Sequence, residues 1–234
     1  MSRGESSFWP KALLWLVAIA VAMMFDKTVA TKVHELGLDA WLESHKLVRS
    51  ALKLPGLYGF TIAIAVIVWL GHSMRWRATI FLLVGTAMSG INFLIKWIAG
   101  RARPFKTLTG NGPVALNPFN LHPFPGGLQG LFSGRNLCFP SGHAALAFAT
   151  AAALSILLPR WRWGFYLLAM LVAAERVAEN AHWLSDAVAA AALGVGCVAV
   201  ARRMLWDKRR PVVGARKSEH GSNPAVPISG DPGV

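Results

Sequence analysis

Charge is what this chain has least of: Asp, Glu, Lys and Arg together make up 15% of its 234 residues, and the acids number only 11. A soluble domain carries about 25% charged residues, so the shortage argues against an ordinary water-soluble fold and against charge-driven disorder. Cysteine is limited to Cys138 and Cys197, too few for a disulfide scaffold, and no glycine period of the collagen kind runs through the sequence. What is abundant is apolar surface, with 54% hydrophobic residues, 10 Trp and a mean hydropathy of +0.45. These features indicate an integral membrane protein. The formal net charge of +13 then reads as cytoplasmic Lys and Arg facing anionic lipid, and no nucleic-acid partner is expected.

A transmembrane helix needs about 20 predominantly apolar residues. Stretches approaching that run from Trp9 to Phe25, Pro55 to Gly71, Arg77 to near Lys96, Ser141 to Leu158, Trp161 to near Ala174 and Trp183 to Ala201. The expected fold is an all-α, polytopic membrane bundle of about six transmembrane helices over residues 1–210. Residues 211–234, rich in Pro, Gly and Ser, read as a disordered cytoplasmic tail. With both termini cytoplasmic, 13 cations and four acids fall inside, against 11 cations and seven acids outside, as the positive-inside rule favours. The first stretch reads as a retained helix rather than a cleaved signal peptide, because Thr28-Val29-Ala30 is a poor cleavage site. The segment from Asp26 to Leu54 has apolar residues at helical spacing and reads as an interfacial helix. Cys138 and Cys197 fall too far apart to bridge.

Ionisable residues gather where this topology makes them costly. The third stretch ends in Lys96, Arg101, Arg103 and Pro104; the fourth begins at Pro140-Ser141-Gly142-His143; the fifth ends in Glu175, Arg176 and His182; the sixth begins near Asp186. All four ends fall on the outer face. Lys96, Arg103 and Arg176 suggest an oxyanion site, since guanidinium forks match phosphate oxygens. Ser141 as a helix N-cap adds free amides and a positive dipole end, and Gly142 allows close approach. Asp186, one turn after His182, can hold one ring nitrogen and leave the other as nucleophile, with His143 as proton donor. Two other readings stay open: cations snorkelling to headgroups, and a metal held by His182 and Asp186 with Glu175 or Glu179.

Three blocks carry a resemblance. Lys96 with six residues to Arg103-Pro104, then Pro140-Ser141-Gly142-His143, then Arg176 with five residues to His182 and three more to Asp186, resemble the signature of the type 2 phosphatidic acid phosphatase superfamily, which includes membrane lipid phosphatases and vanadium haloperoxidases. The resemblance implies a membrane phosphatase that needs no metal or cofactor and works through a phosphohistidine. His182 would be the nucleophile, Asp186 its orienting partner and His143 the acid; Lys96, Arg103, Arg176, Ser141 and Gly142 would hold the phosphate. Glu175 stands where the family often has Ser, and pairing with Arg101 is one expected outcome. His122 and Arg135, in the loop between about Gly100 and Phe139, rank second as headgroup contacts, and the Leu116–Phe132 stretch reads as a surface lid. The implied substrate is a membrane lipid phosphate, whether polyprenyl diphosphate, phosphatidic acid, phosphatidylglycerol phosphate or lipid A. The implied setting is a bacterial-type inner membrane, with the site facing the periplasm or exterior. A phosphotransferase moving the phosphate to another lipid, and a non-catalytic anion or lipid transporter, are the alternatives.

Overall fold

The computed structural model describes residues 8–104, 119, 121–124, 127 and 137–206, and these are helical throughout apart from turns and one isolated bridge between Arg101 and Leu121. The helices are α1 (Phe8–Glu35), α2 (Leu38–Ser44), α3 (Lys46–Lys53), α4 (Tyr58–Gly71), α5 (Arg75–Met88), α6 (Asn92–Ala99), α7 (Gly142–Leu157), α8 (Arg162–Ala178) and α9 (Leu184–Ala201). Each expected apolar stretch is helical. Three helical stretches are long and apolar enough to cross a membrane, Trp9–Glu35, Arg75–Ala99 and Leu184–Leu205; Lys46–Gly56 with Tyr58–Gly71, bent by 56°, makes a fourth if the pair is one span. α7 is apolar but has only 16 residues, about 24 Å of helix against a hydrocarbon core of about 30 Å. The tail beyond residue 206, Arg135 and most of the long loop lie outside the described residues.

Three boundaries differ from expectation. The first helix continues past Phe25 to Glu35, so Asp26 sits on α1 and not in a connecting segment. The chain after Gly37 folds as the short α2 and α3 rather than one interfacial helix. The third stretch is interrupted at Ser89–Ile91 by a 3₁₀ turn. There Thr86 Oγ1 donates to the Leu82 carbonyl (2.8 Å) and Ser89 Oγ to the Thr86 carbonyl (2.6 Å), and such back-bonding bends helices.

Composition explains how the bundle closes. In a membrane, close van der Waals packing replaces the hydrophobic drive, and small residues allow it. The buried faces of α7 and α9 are built largely of Ala, including Ala144, Ala145, Ala149, Ala153, Ala187 and Ala190. They cross at Gly194, where an added Cβ would stand 2.4 Å from the Ala145 carbonyl oxygen and 2.8 Å from the Ala149 amide. A buried Thr61–Thr150 hydroxyl contact of 3.1 Å joins α4 to α7. Large apolar side chains such as Leu13, Leu14, Ile62, Ile67, Leu70 and Leu167 point outward, as lipid-facing positions should. Replacing Gly194 by Val is expected to lower stability by about 1–3 kcal/mol through overpacking. Gly196→Ala, at a position with nothing within 4 Å of a new Cβ, should be neutral or slightly stabilising. Thermal unfolding of the two variants in detergent checks the contrast.

Candidate active site

α6 brings the first block to the site. Asn92 and Lys96 are one turn apart and therefore share a face. Asn92 is buried; with its nitrogen toward the Pro140 carbonyl it donates there (3.0 Å) and accepts from the Gly142 N–H (3.3 Å), the orientation that matches donors to acceptors. A Cβ on Gly142 would lie 3.0 Å from that amide and 3.7 Å from Lys96 Nζ, so the glycine keeps α6 and the start of α7 in close contact. α6 ends at Gly100, whose φ of 54° is left-handed and whose added Cβ would fall 1.7 Å from the His122 carbonyl oxygen. His122 donates its amide to the Gly100 carbonyl (3.0 Å), while the residue itself is exposed.

Two helices begin at this point. Ser141 is the N-cap residue of α7, yet its side chain makes no capping bond. Its Oγ is fully buried without a hydrogen-bond partner, as is Arg103 Nε. The Ser141 amide donates to the Asp186 carbonyl (3.2 Å), which ties the start of α7 to the first turn of α9. Trp183 precedes α9, its amide donating to Asp186 Oδ2 (2.9 Å). His182 therefore stands just before the helix and not on its face, as the spacing alone suggests. Its own amide donates to the Arg176 carbonyl (3.2 Å), and its Nδ1 lies 3.5 Å from Asp186 Oδ2.

The surroundings of His182 set its protonation. The ring is 3% exposed, and burial drives its pKa from 6.5 down to about 4; the Asp186 carboxylate opposes this, and the positive heads of Lys96 and Arg103 reinforce it. The same two cations face His143. Lys96, Arg103, His143, His182 and Asp186 thus come together, with the unpartnered Ser141 Oγ at the head of α7. Neutral at physiological pH, with Nδ1 toward a carboxylate, the imidazole keeps Nε2 as a lone-pair donor.

Arg176 and Glu175 turn elsewhere. Arg176 donates through Nε (2.6 Å) and Nη2 (2.5 Å) to the Glu175 carboxylate and also contacts Glu179. Arg49 pairs with Glu179, and Lys53 reaches Glu179 (3.4 Å) and Glu175 (3.9 Å). Glu175 therefore pairs with Arg176 and Lys53, not with Arg101, because its place on α8 faces α3. Arg101 lies behind the site, donating to Asp186 Oδ1 (2.5 Å) and to Asp26 Oδ2 (2.7 Å). Neither Glu175 nor Glu179 approaches His182 as a metal ligand would. The third group beside His182 and Asp186 is Cys138, and the ligand atoms of the three lie within 4.8 Å of one another. Its thiol, held protonated by burial and by the neighbouring Asp186, donates to Asp186 Oδ2 (2.6 Å). Both cysteines are free thiols. Asn92, Cys138 and Asp26 carry no motif, and their only signal in the sequence is a polar side chain beside an apolar run.

A sequence-family profile described as the PAP2 superfamily matches residues 57–210. The chain belongs to the PAP2 superfamily. Among curated relatives, the lipid A 1-phosphatase of Rhizobium etli is 28% identical over 77% of this chain and 60% of its own length. That of Rhizobium johnstonii is 35% identical over 43% of this chain and 36% of its own length. The chain thus spans under two thirds of the relatives it matches. A solved structure, that of the first transmembrane PAP2 type phosphatidylglycerolphosphate phosphatase from Bacillus subtilis, superimposes with a TM-score of 0.47 at 19% identity, covering 80% of this chain and 94% of that one.

A histidine buried neutral must be protonated as the protein unfolds below its ordinary pKa. Between pH 6.5 and about 4 the unfolded chain binds more protons at this site than the folded one, so stability falls as pH drops through that window. The His182 contribution is on the order of 1–3 kcal/mol. His182→Gln should flatten this part of a plot of unfolding temperature against pH.

Proposed function

We propose that this PAP2 protein is a membrane lipid phosphatase that removes a phosphate from a lipid headgroup through a phosphohistidine, without a metal. The observation that carries the reading is the neutral, buried His182 beside Asp186, with Lys96, Arg103 and an unpartnered Ser141 Oγ around it. His182 Nε2 attacks phosphorus, the bond from phosphorus to the lipid oxygen breaks, and His143, held as imidazolium once the bound phosphate offsets Lys96 and Arg103, gives that oxygen its proton. Water then attacks the phosphohistidine and loses a proton to His143; inorganic phosphate leaves and His182 is neutral again. Lys96, Arg103 and the Ser141 hydroxyl, with the positive dipole end of α7, stabilise the charge on the phosphoryl oxygens. Arg176 joins them by exchanging a carboxylate for a phosphate oxygen. The site opens on the outer side of a bacterial inner membrane. Lipid A stands first among the substrates of this proposal, ahead of phosphatidylglycerol phosphate, phosphatidic acid and polyprenyl diphosphate, and the names of the lipid A 1-phosphatase relatives support that order.

Detergent-purified protein is expected to release inorganic phosphate from at least one of these four lipids with chelator present, and His182→Ala to lose more than about 10³-fold in kcat. No release from any of the four by folded protein would overturn the reading; transfer to an added lipid acceptor without phosphate release would make it a phosphotransferase. Glu175 competes with substrate for Arg176. Glu175→Gln should therefore lower KM several-fold with little change in kcat, read from initial rates on the best substrate.

A further inference from the structure

Behind His182 lies a buried chain of charge that the proposed reaction does not use. Asp26, fully buried on α1, accepts from the Ser185 amide at Oδ1 (2.8 Å), and from Ser185 Oγ (2.6 Å) and Arg101 Nη2 (2.7 Å) at Oδ2. Arg101, 2% exposed, uses Nη1 on Ser185 Oγ (2.8 Å) and Asp186 Oδ1 (2.5 Å). Its guanidinium lies over the Trp183 ring at 5.4 Å, and Trp183 Nε1 donates to the Ala102 carbonyl (2.9 Å). One guanidinium is thus held between two carboxylates from helices at opposite ends of the chain. A buried charge survives only when paired and hydrogen-bonded, and each member here meets that condition through the others.

We infer that Asp26 and Arg101 are positioning residues for the reaction, acting through Asp186 on His182, so that α1 is a working part of the active site. The inference rests on His182 being the nucleophile. Arg101 fixes one oxygen of Asp186 and leaves the other toward Nδ1 of His182, and Asp26 fixes Arg101. Asp26 also draws off part of the positive charge that would otherwise fall on Asp186. Without Asp26, Arg101 neutralises Asp186 more fully and the imidazolium form of His182 loses support. Without Arg101, Asp186 acts on His182 unopposed. The two losses push the histidine in opposite directions, which a merely structural role would not do. The other charged and titratable groups facing His182, namely Lys96, Arg103 and Cys138, are the same in both variants, as is His143, which faces the same two cations.

The test uses the full chain in mixed micelles with the best lipid substrate, comparing wild type, Asp26→Asn, Arg101→Gln, Ser185→Ala and His182→Ala. Asp26→Asn and Arg101→Gln should each lower kcat about 10–100-fold with KM within about two-fold. The acidic limb of kcat/KM should move to lower pH in Asp26→Asn and to higher pH in Arg101→Gln, by about half a unit or more. The double variant should fall short of the product of the two losses. Ser185→Ala, which removes one hydroxyl from the same network and leaves the charges, should cost a smaller factor and serves if the charge variants fail to fold. Full kcat in folded Asp26→Asn or Ser185→Ala, or limbs that move together, would overturn the inference. Turnover surviving His182→Ala would instead remove the reading on which it rests.

Discussion

The hydrogen bond from the Ser141 amide to the Asp186 carbonyl joins the starts of α7 and α9, and the rest of the site hangs on that junction. Two helices that begin side by side aim both positive dipole ends into one space, and they bring a histidine, a serine and a carboxylate with them. Such a junction holds only if the helices below it run close together. The alanine-rich faces and the crossing at Gly194 provide that closeness. The chemistry at the top of the bundle and the small side chains in its middle are therefore one arrangement.

Charge is placed in three tiers. Lys96 and Arg103 face His182 and His143, where an incoming anion would meet them. Arg176 stands to one side, held by Glu175 and Glu179 together with the cations of α3. Arg101 lies behind, locked between Asp26 and Asp186. The first tier is kept without a carboxylate partner among the described contacts, the second shares its carboxylates with Arg49 and Lys53, and the third is enclosed between two carboxylates. Membrane proteins bear buried charge only where it is paired or used, and the tiers separate those two conditions.

The three signature blocks are legible because each packs several polar residues into a short stretch at the end of an apolar run. Helical architecture is legible for the same reason, in the runs themselves. The extent of α1 is not: Lys27, Lys32, His34 and Glu35 end the apolar pattern while the helix goes on, since a helix needs no apolar side chains where its end leaves the bilayer. Asp26 gives no sign of its role because a single carboxylate after Met-Met-Phe looks like the edge of a span. Its meaning lies in Arg101 and Ser185, which only the fold brings near. Asn92 is hidden in the same way, one turn before Lys96 with a partner some fifty positions later in the loop before α7. Glu175 is visible as an oddity, but its partner depends on which side of α8 meets α3.

The ion pair between α1 and the loop after α6, closed by the first turn of α9, sets an order of events during synthesis. Asp26 enters the membrane long before Ser185 and Arg101 are made, and its partner Ser185 follows 159 residues later in the chain. Until the last helix arrives, the nascent protein carries an incomplete charge and an unfinished site at once. Folding and charge neutralisation are then the same step: a chain in which either helix is misplaced leaves Arg101 short of one of its two carboxylates and Asp26 short of Ser185.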